Sequence, residues 1–111
     1  MDTRLEQALD FSQYMTTLNN QKRLLLEKFY ENCILYYNGG KFTITPELIS
    51  YCETFIYSDE IIIDDNKLPI QIKIKDFKKQ IKERYDLAKQ EYFDGYNKLK
   101  IKRSVEKILY E

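Results

Sequence analysis

The chain has no histidine and no tryptophan, and only three glycines, two prolines and two cysteines in 111 residues. Without histidine there is no imidazole to act as a general base, no Ser-His-Asp relay and no ligand set for most zinc sites. Cys33 and Cys52 stand apart in apolar surroundings and form no CxxC pair. Two separated thiols cannot close a structural zinc site, and both read as reduced, buried and structural. No GxxxxGK[ST] or GxGxxG occurs, and Gly39-Gly40 follows a helical pattern rather than a strand, so it is no phosphate loop. No apolar run approaches the ~20 residues that span a bilayer. The opening MDTRLEQALDF lacks the charged-then-apolar layout of a secretory signal. The expectation is a protein of the cytoplasm that is not an enzyme, has no cofactor or metal and contacts no membrane.

Few chain breakers leave material for long regular elements. One domain is expected at this length. Aromatics are plentiful, ten Tyr and six Phe, and 32% of the residues are charged. The formal net charge is zero, yet residues 1–65 carry −6 and residues 66–111 carry +6. Such halves complement each other within a fold or across an oligomer, or leave a basic face for an acidic partner.

Residues 3–37 read as one helix, with Ala8, Phe11, Met15, Leu18, Lys22, Leu25, Phe29, Cys33 and Tyr36 stepping by three or four along one face. The step is close to a coiled-coil heptad, interrupted by Lys22. Asn38-Gly39-Gly40 reads as its C-cap, since Asn and Gly tolerate the left-handed conformation. A strand over 41–44 follows. Thr45-Pro46 then starts a helix over 46–57, threonine as N-cap and proline at the first helical position. Ile61-Ile62-Ile63 and the alternating Pro69–Ile74 flank turn residues and predict a hairpin over 60–74, with 41–44 available to add a third strand. The last helix spans 75–110, N-capped by Asp76. Its stripe is Phe77, Ile81, Tyr85, Ala88, Tyr92, Tyr96 and Leu99, continuing through Ile101, Val105, Ile108 and Leu109. Gly95 costs roughly 1 kcal/mol against Ala there, and marks either a kink or a place where another backbone or a Tyr ring comes close. The fold class is α+β, mainly α: two long antiparallel helices bracketing a short helix and a small β-hairpin or three-stranded antiparallel element.

Three groups of residues are candidates for function. Tyr14, Leu24, Leu26, Tyr30, Phe93 and Tyr96 add more apolar and tyrosine surface than one helix pair buries, as a protein interface would. Lys75, Lys78, Lys79 and Lys82 share a face of the last helix, and Lys98, Lys100, Lys102 and Arg103 form a run without an acid. Together they are the alternative, a phosphate-contacting patch for nucleic acid. Asp59, Glu60, Asp64 and Asp65 cluster at the hairpin. They are a solvated turn that protects a sheet edge, or a divalent-ion site.

The segments Leu5–Ser12, Tyr37–Ile44 with Glu47–Ser50, and Lys102–Lys107 resemble small uncharacterised proteins of T4-like marine phages, including cyanophages. The resemblance implies a phage setting, action in the infected host's cytoplasm or on the virion, and no assigned activity. The helix–hairpin–helix order is also similar to prefoldin in layout, from which the Thr45-Pro46 helix departs. The expected function is a non-enzymatic interaction or assembly module. It would pair with itself through its helices and bind a phage or host protein. The alternative is a nucleic-acid accessory protein.

Overall fold

A computed structural model describes residues 3–55 and 58–110, with side chains as far as Lys102 in the last helix. The element order is α1 (Thr3–Asn32), β1 (Ile34–Tyr37), β2 (Gly40–Thr43), α2 (Pro46–Glu53), β3 (Asp59–Ile63), β4 (Pro69–Lys73) and α3 (Ile74–Tyr110). The chain is α+β and mainly α, with the long antiparallel helices α1 and α3 bracketing the short one. None of the described helices is long and apolar enough to cross a membrane. The chain divides into two compact units, Phe29–Gln90 and Met1–Lys28 with Glu91–Glu111.

The unit Phe29–Gln90 holds the larger core, and its first feature corrects the sequence reading. The helix expected to run to Tyr37 ends at Asn32, and Ile34–Tyr37 is a strand paired antiparallel with β2. Ile34-Leu35-Tyr36-Tyr37 is β-branched and aromatic, and Asn38-Gly39 follows it. Both turn residues have positive φ, 48° and 80°. That pair joins Tyr37 to Gly40 as a two-residue hairpin turn whose twist matches the strands. The local helix stripe through Cys33 and Tyr36 thus loses to a hairpin that buries Leu35 and Tyr37 and leaves Tyr36 exposed. At the end of α1 the Asn32 carbonyl accepts from Arg84 Nε at 3.1 Å.

The second hairpin matches its expected place. β3 pairs antiparallel with β4, Asp59 opposite Lys73 and Ile63 opposite Pro69. It does not add β2 as a third strand, and the two sheets have two strands each. The loop at Asp64-Asp65 takes that edge instead. Lys41 N–H donates to Asp64 Oδ2 at 3.0 Å, Asp65 N–H to the Lys41 carbonyl at 2.9 Å and Thr43 N–H to Asp65 Oδ1 at 3.3 Å. The edge is covered by side-chain and loop acceptors, which removes the template a bare edge would offer.

α2 begins as expected: Thr45 Oγ1 accepts from Leu48 N–H at 3.1 Å, with Pro46 next. It stops at Glu53, shorter than the predicted 46–57, because Thr54 closes its last turn with N–H bonds to Cys52 and Tyr51 carbonyls and Oγ1 on Tyr51 O at 2.6 Å. Ile56 and Tyr57 lie outside the described residues. Ile72, Ile74, Phe77 and Ile81 run from β4 into α3 and are almost fully buried. Phe77 receives the edges of Tyr37 and Phe42 at ring-centroid distances of 5.2 and 5.0 Å. Burying a side chain of this size stabilises by roughly 1.5–3 kcal/mol. Asp76 is not the N-cap of α3, which begins two residues earlier. It sits in the first turn, where its Oδ2 accepts from Tyr37 OH at 3.2 Å and Gln80 Nε2 at 3.0 Å.

The other unit is made from the first 28 residues and from α3 beyond Glu91. Leu18 and Leu99 are its buried hydrophobics among the described residues, and Leu25 lies against Gly95. Two helices bury only a narrow seam, so much of the apolar surface stays outside: Leu5, Leu9, Leu24, Leu26, Phe93 and Ile101 are all exposed. The Val105, Ile108 and Leu109 continuation of the stripe lies outside the described side chains.

Candidate docking groove

A groove with a mainly apolar lining belongs to this second unit. α1 supplies Gln21, Leu24 and Lys28, spaced by three and four, with Leu25 between them; α3 supplies Gly95, Lys98 and Lys102 in the same spacing, with Leu99. Positions three and four apart share a helix face, so each helix presents one continuous wall. The space enclosed is about 400 Å³. Gly95 helps make it. A Cβ there would stand 2.7 Å from Leu25 Cδ2, so glycine lets the leucine lie across the α3 backbone. What comes close at Gly95 is therefore a leucine side chain, and not the backbone or Tyr ring expected there.

The floor is leucine and the rim is ammonium. Lys28, Lys98 and Lys102 line the groove, and among the described residues no carboxylate does. Leu24 is 55% exposed, although it forms part of the wall. Leucine held half in water beside three like charges suits an occupant that brings apolar surface and negative charge together.

Of the residues expected at a protein interface, Leu24 alone reaches this groove. Tyr14 is half-buried and its ring lies 6.1 Å from Phe11. Leu26 and Phe93 are exposed and line neither depression described here. Tyr30 is exposed beside Phe29, and Tyr96 stacks on Tyr92 with centroids 6.2 Å apart. Leu25, Lys28 and Leu99 were missed as site residues. Leu25 and Leu99 lie on the helix stripes and read as core, and Lys28 has no sequence signal beyond its spacing from Leu24.

Lys75, Lys78, Lys79 and Lys82 belong to the unit Phe29–Gln90, and Lys98, Lys100 and Lys102 to the other. Lys98 and Lys102 serve the groove, Lys100 is exposed, and the Arg103 side chain lies outside the described residues. Lys75 and Lys79 line another depression of about 440 Å³ with Lys73, Ser58, Asp59 and Asp76, where charges of both signs mix. Lys78 is half-buried and Lys82 exposed.

The acidic cluster is also divided. Asp59 lines that mixed depression. Asp64 is 4% exposed and is tied to backbone: Oδ1 accepts from Asn66 N–H at 3.0 Å and Leu68 N–H at 2.8 Å, and Oδ2 from Lys41. The Lys41 amide, followed by those of Leu68 and Asn66, holds its carboxyl below the usual range, against the opposing effect of burial. Asp65 Oδ2 accepts from Thr43 Oγ1 at 2.5 Å. These oxygens organise the loop, and among the described residues no three Cys, Asp or Glu side chains gather as a metal site. The thiols of Cys33 and Cys52 are both buried, and burial pushes both above the ordinary cysteine value. No family model, curated protein or solved structure matches this chain.

Proposed function

We propose that this chain is a non-enzymatic assembly module of a phage, acting in the infected cell, that pairs with itself and docks a phage or host protein through its long helices. The observation that carries the reading is the leucine-floored, lysine-rimmed groove of the second unit, with Leu24 more than half exposed in its wall. A helix pair that leaves leucines on its surface gains by burying them against a further element, at about 25 cal/mol for each Å² of apolar area removed from water. The same seam is the candidate for coiled-coil association.

Multi-angle light scattering over a concentration series tests it. The wild-type chain is expected to be an oligomer. Leu24→Asp, an exposed position, is expected to fold normally by circular dichroism and to shift towards monomer. A strict monomer at every concentration overturns self-association.

A second reading rests on the exposed lysines of α3. Lys75, Lys79 and Lys82 are open to solvent, as are Lys98, Lys100 and Lys102, and each of these two groups can contact phosphates. A nucleic-acid accessory role predicts DNA or RNA binding that weakens steeply with salt and is lost when Lys98, Lys100 and Lys102 become Glu. The leucines between Lys28, Lys98 and Lys102 favour a protein occupant over a phosphate backbone.

A further inference from the structure

The first turns of α1 carry a surface complementary to the groove. Every described residue from Thr3 to Gln13 is exposed. Leu5 and Leu9 are 51% and 49% exposed and stand four residues apart, on one face of the helix. Glu6 and Asp10 stand in the same spacing on the adjoining face. The segment also carries Arg4, about 100° around the helix from Leu5 on the side away from Glu6, and is thus a leucine-bearing helical arm with one acidic face. The ion pairs Arg23–Glu27 and Lys89–Asp86, both among the described residues, use neither its carboxylates nor the groove's lysines.

We infer that the occupant of the groove is the α1 arm of a second copy of this chain. Leu5 and Leu9 meet Leu24, Leu25 and Leu99, and Glu6 and Asp10 meet Lys28, Lys98 and Lys102. Each copy has one arm and one groove, so a two-fold axis satisfies both at once and the assembly closes as a dimer. This rests on the self-association reading and names the surfaces that perform it. Opposite charges at the rim set partner orientation and make the contact sensitive to salt.

A charge exchange in the full-length protein tests the contact. The pair E6K/D10K puts lysines on the arm, and the pair K98E/K102E puts glutamates on the groove. All four positions are exposed, so each variant keeps the wild-type circular dichroism. Sedimentation equilibrium is expected to show a wild-type dimer and, for either variant alone, a dissociation constant raised about tenfold or more. Mixing the two variants restores a heterodimer, because every arm then meets a groove of opposite charge. A dimer unchanged in both variants overturns the arm-in-groove contact and leaves self-association standing. Weakened variants whose mixture does not recover also overturn it. A monomeric wild type overturns the assignment to a second copy together with self-association, whether or not the groove takes up an acidic peptide of another protein.

Discussion

Asp64 joins the two hairpins of the larger unit through hydrogen bonds to three backbone amides, those of Lys41, Asn66 and Leu68. An ionised carboxylate makes stronger bonds to such donors than a neutral group does, so its folded-state pKa lies below the unfolded value of about 3.9. The linkage has a definite sign. The stabilisation is fully present above the unfolded pKa and is lost as pH falls through the folded one. Asp64→Ala leaves three amides without their acceptor and is expected to lower the melting temperature by several degrees at neutral pH. Asp64→Asn, which keeps one carbonyl acceptor, should fall between. Thermal melts across an acid series check this, and the gap between wild type and Ala variant should narrow as the wild-type carboxyl protonates. A gap independent of pH would mean that the charge contributes nothing.

At the scale of elements, the hairpins meet where the chain has no room for a side chain. A Cβ on Gly40 would lie 2.6 Å from Ile70 Cγ1 and 2.9 Å from Phe42 Cε2. Gly40→Ala therefore overpacks a buried contact between β2 and β4, and is expected to cost about 1–3 kcal/mol in urea unfolding. An unchanged denaturation midpoint would show that the strands separate freely. The same elements show what could be read in advance. The β3–β4 hairpin and α3 were legible because period-two alternation and the three-and-four stripe are local and each is long enough to be unambiguous. β1 was not. Cys33 just before it and Tyr36 within it continue the α1 stripe, and what decides against helix is burial of Leu35 in the core and of Tyr37 against Phe77, some forty residues further along. Asn38-Gly39-Gly40 reads from sequence as a left-handed helix C-cap, but Asn-Gly serves a helix C-cap and a hairpin alike, and only the pairing of Tyr37 with Gly40 tells them apart.

For the whole molecule, the two units differ in how much they bury. Phe29–Gln90 contains a cluster running through Leu35, Phe42, Cys52, Ile72, Phe77 and Ile81, whereas the other unit buries Leu18 and Leu99 among its described residues. Local stability follows buried contacts, so amide exchange should divide in the same way. The amides of β1, β2, β4 and residues 77–81 are expected to exchange slowest, and those of Leu5 to Gln13 fastest, in dilute solution measured by mass spectrometry. On concentration the arm should gain protection if it docks in a second copy's groove. Equal protection in both units would contradict the difference in core.

The amino-acid sequence by itself determined the α+β class, the two long helices, the N-cap at Thr45 and the hairpin around residues 64–68, because each follows from local periodicity, capping or turn chemistry. It also carried the parts of the groove separately: Leu24 as surplus apolar surface, Lys98 and Lys102 in a run without an acid, and Gly95 as a kink or a point of approach for a backbone or Tyr ring, where the structure places Leu25. Only the tertiary structure decided that these parts share one site. Leu25 and Gly95 lie seventy residues apart, and no local pattern reports which face of one helix meets which face of another. It likewise turned Asp64 from a surface acid into the acceptor that ties the hairpins together, since that role depends on the amide of Lys41, a residue brought to it by the fold.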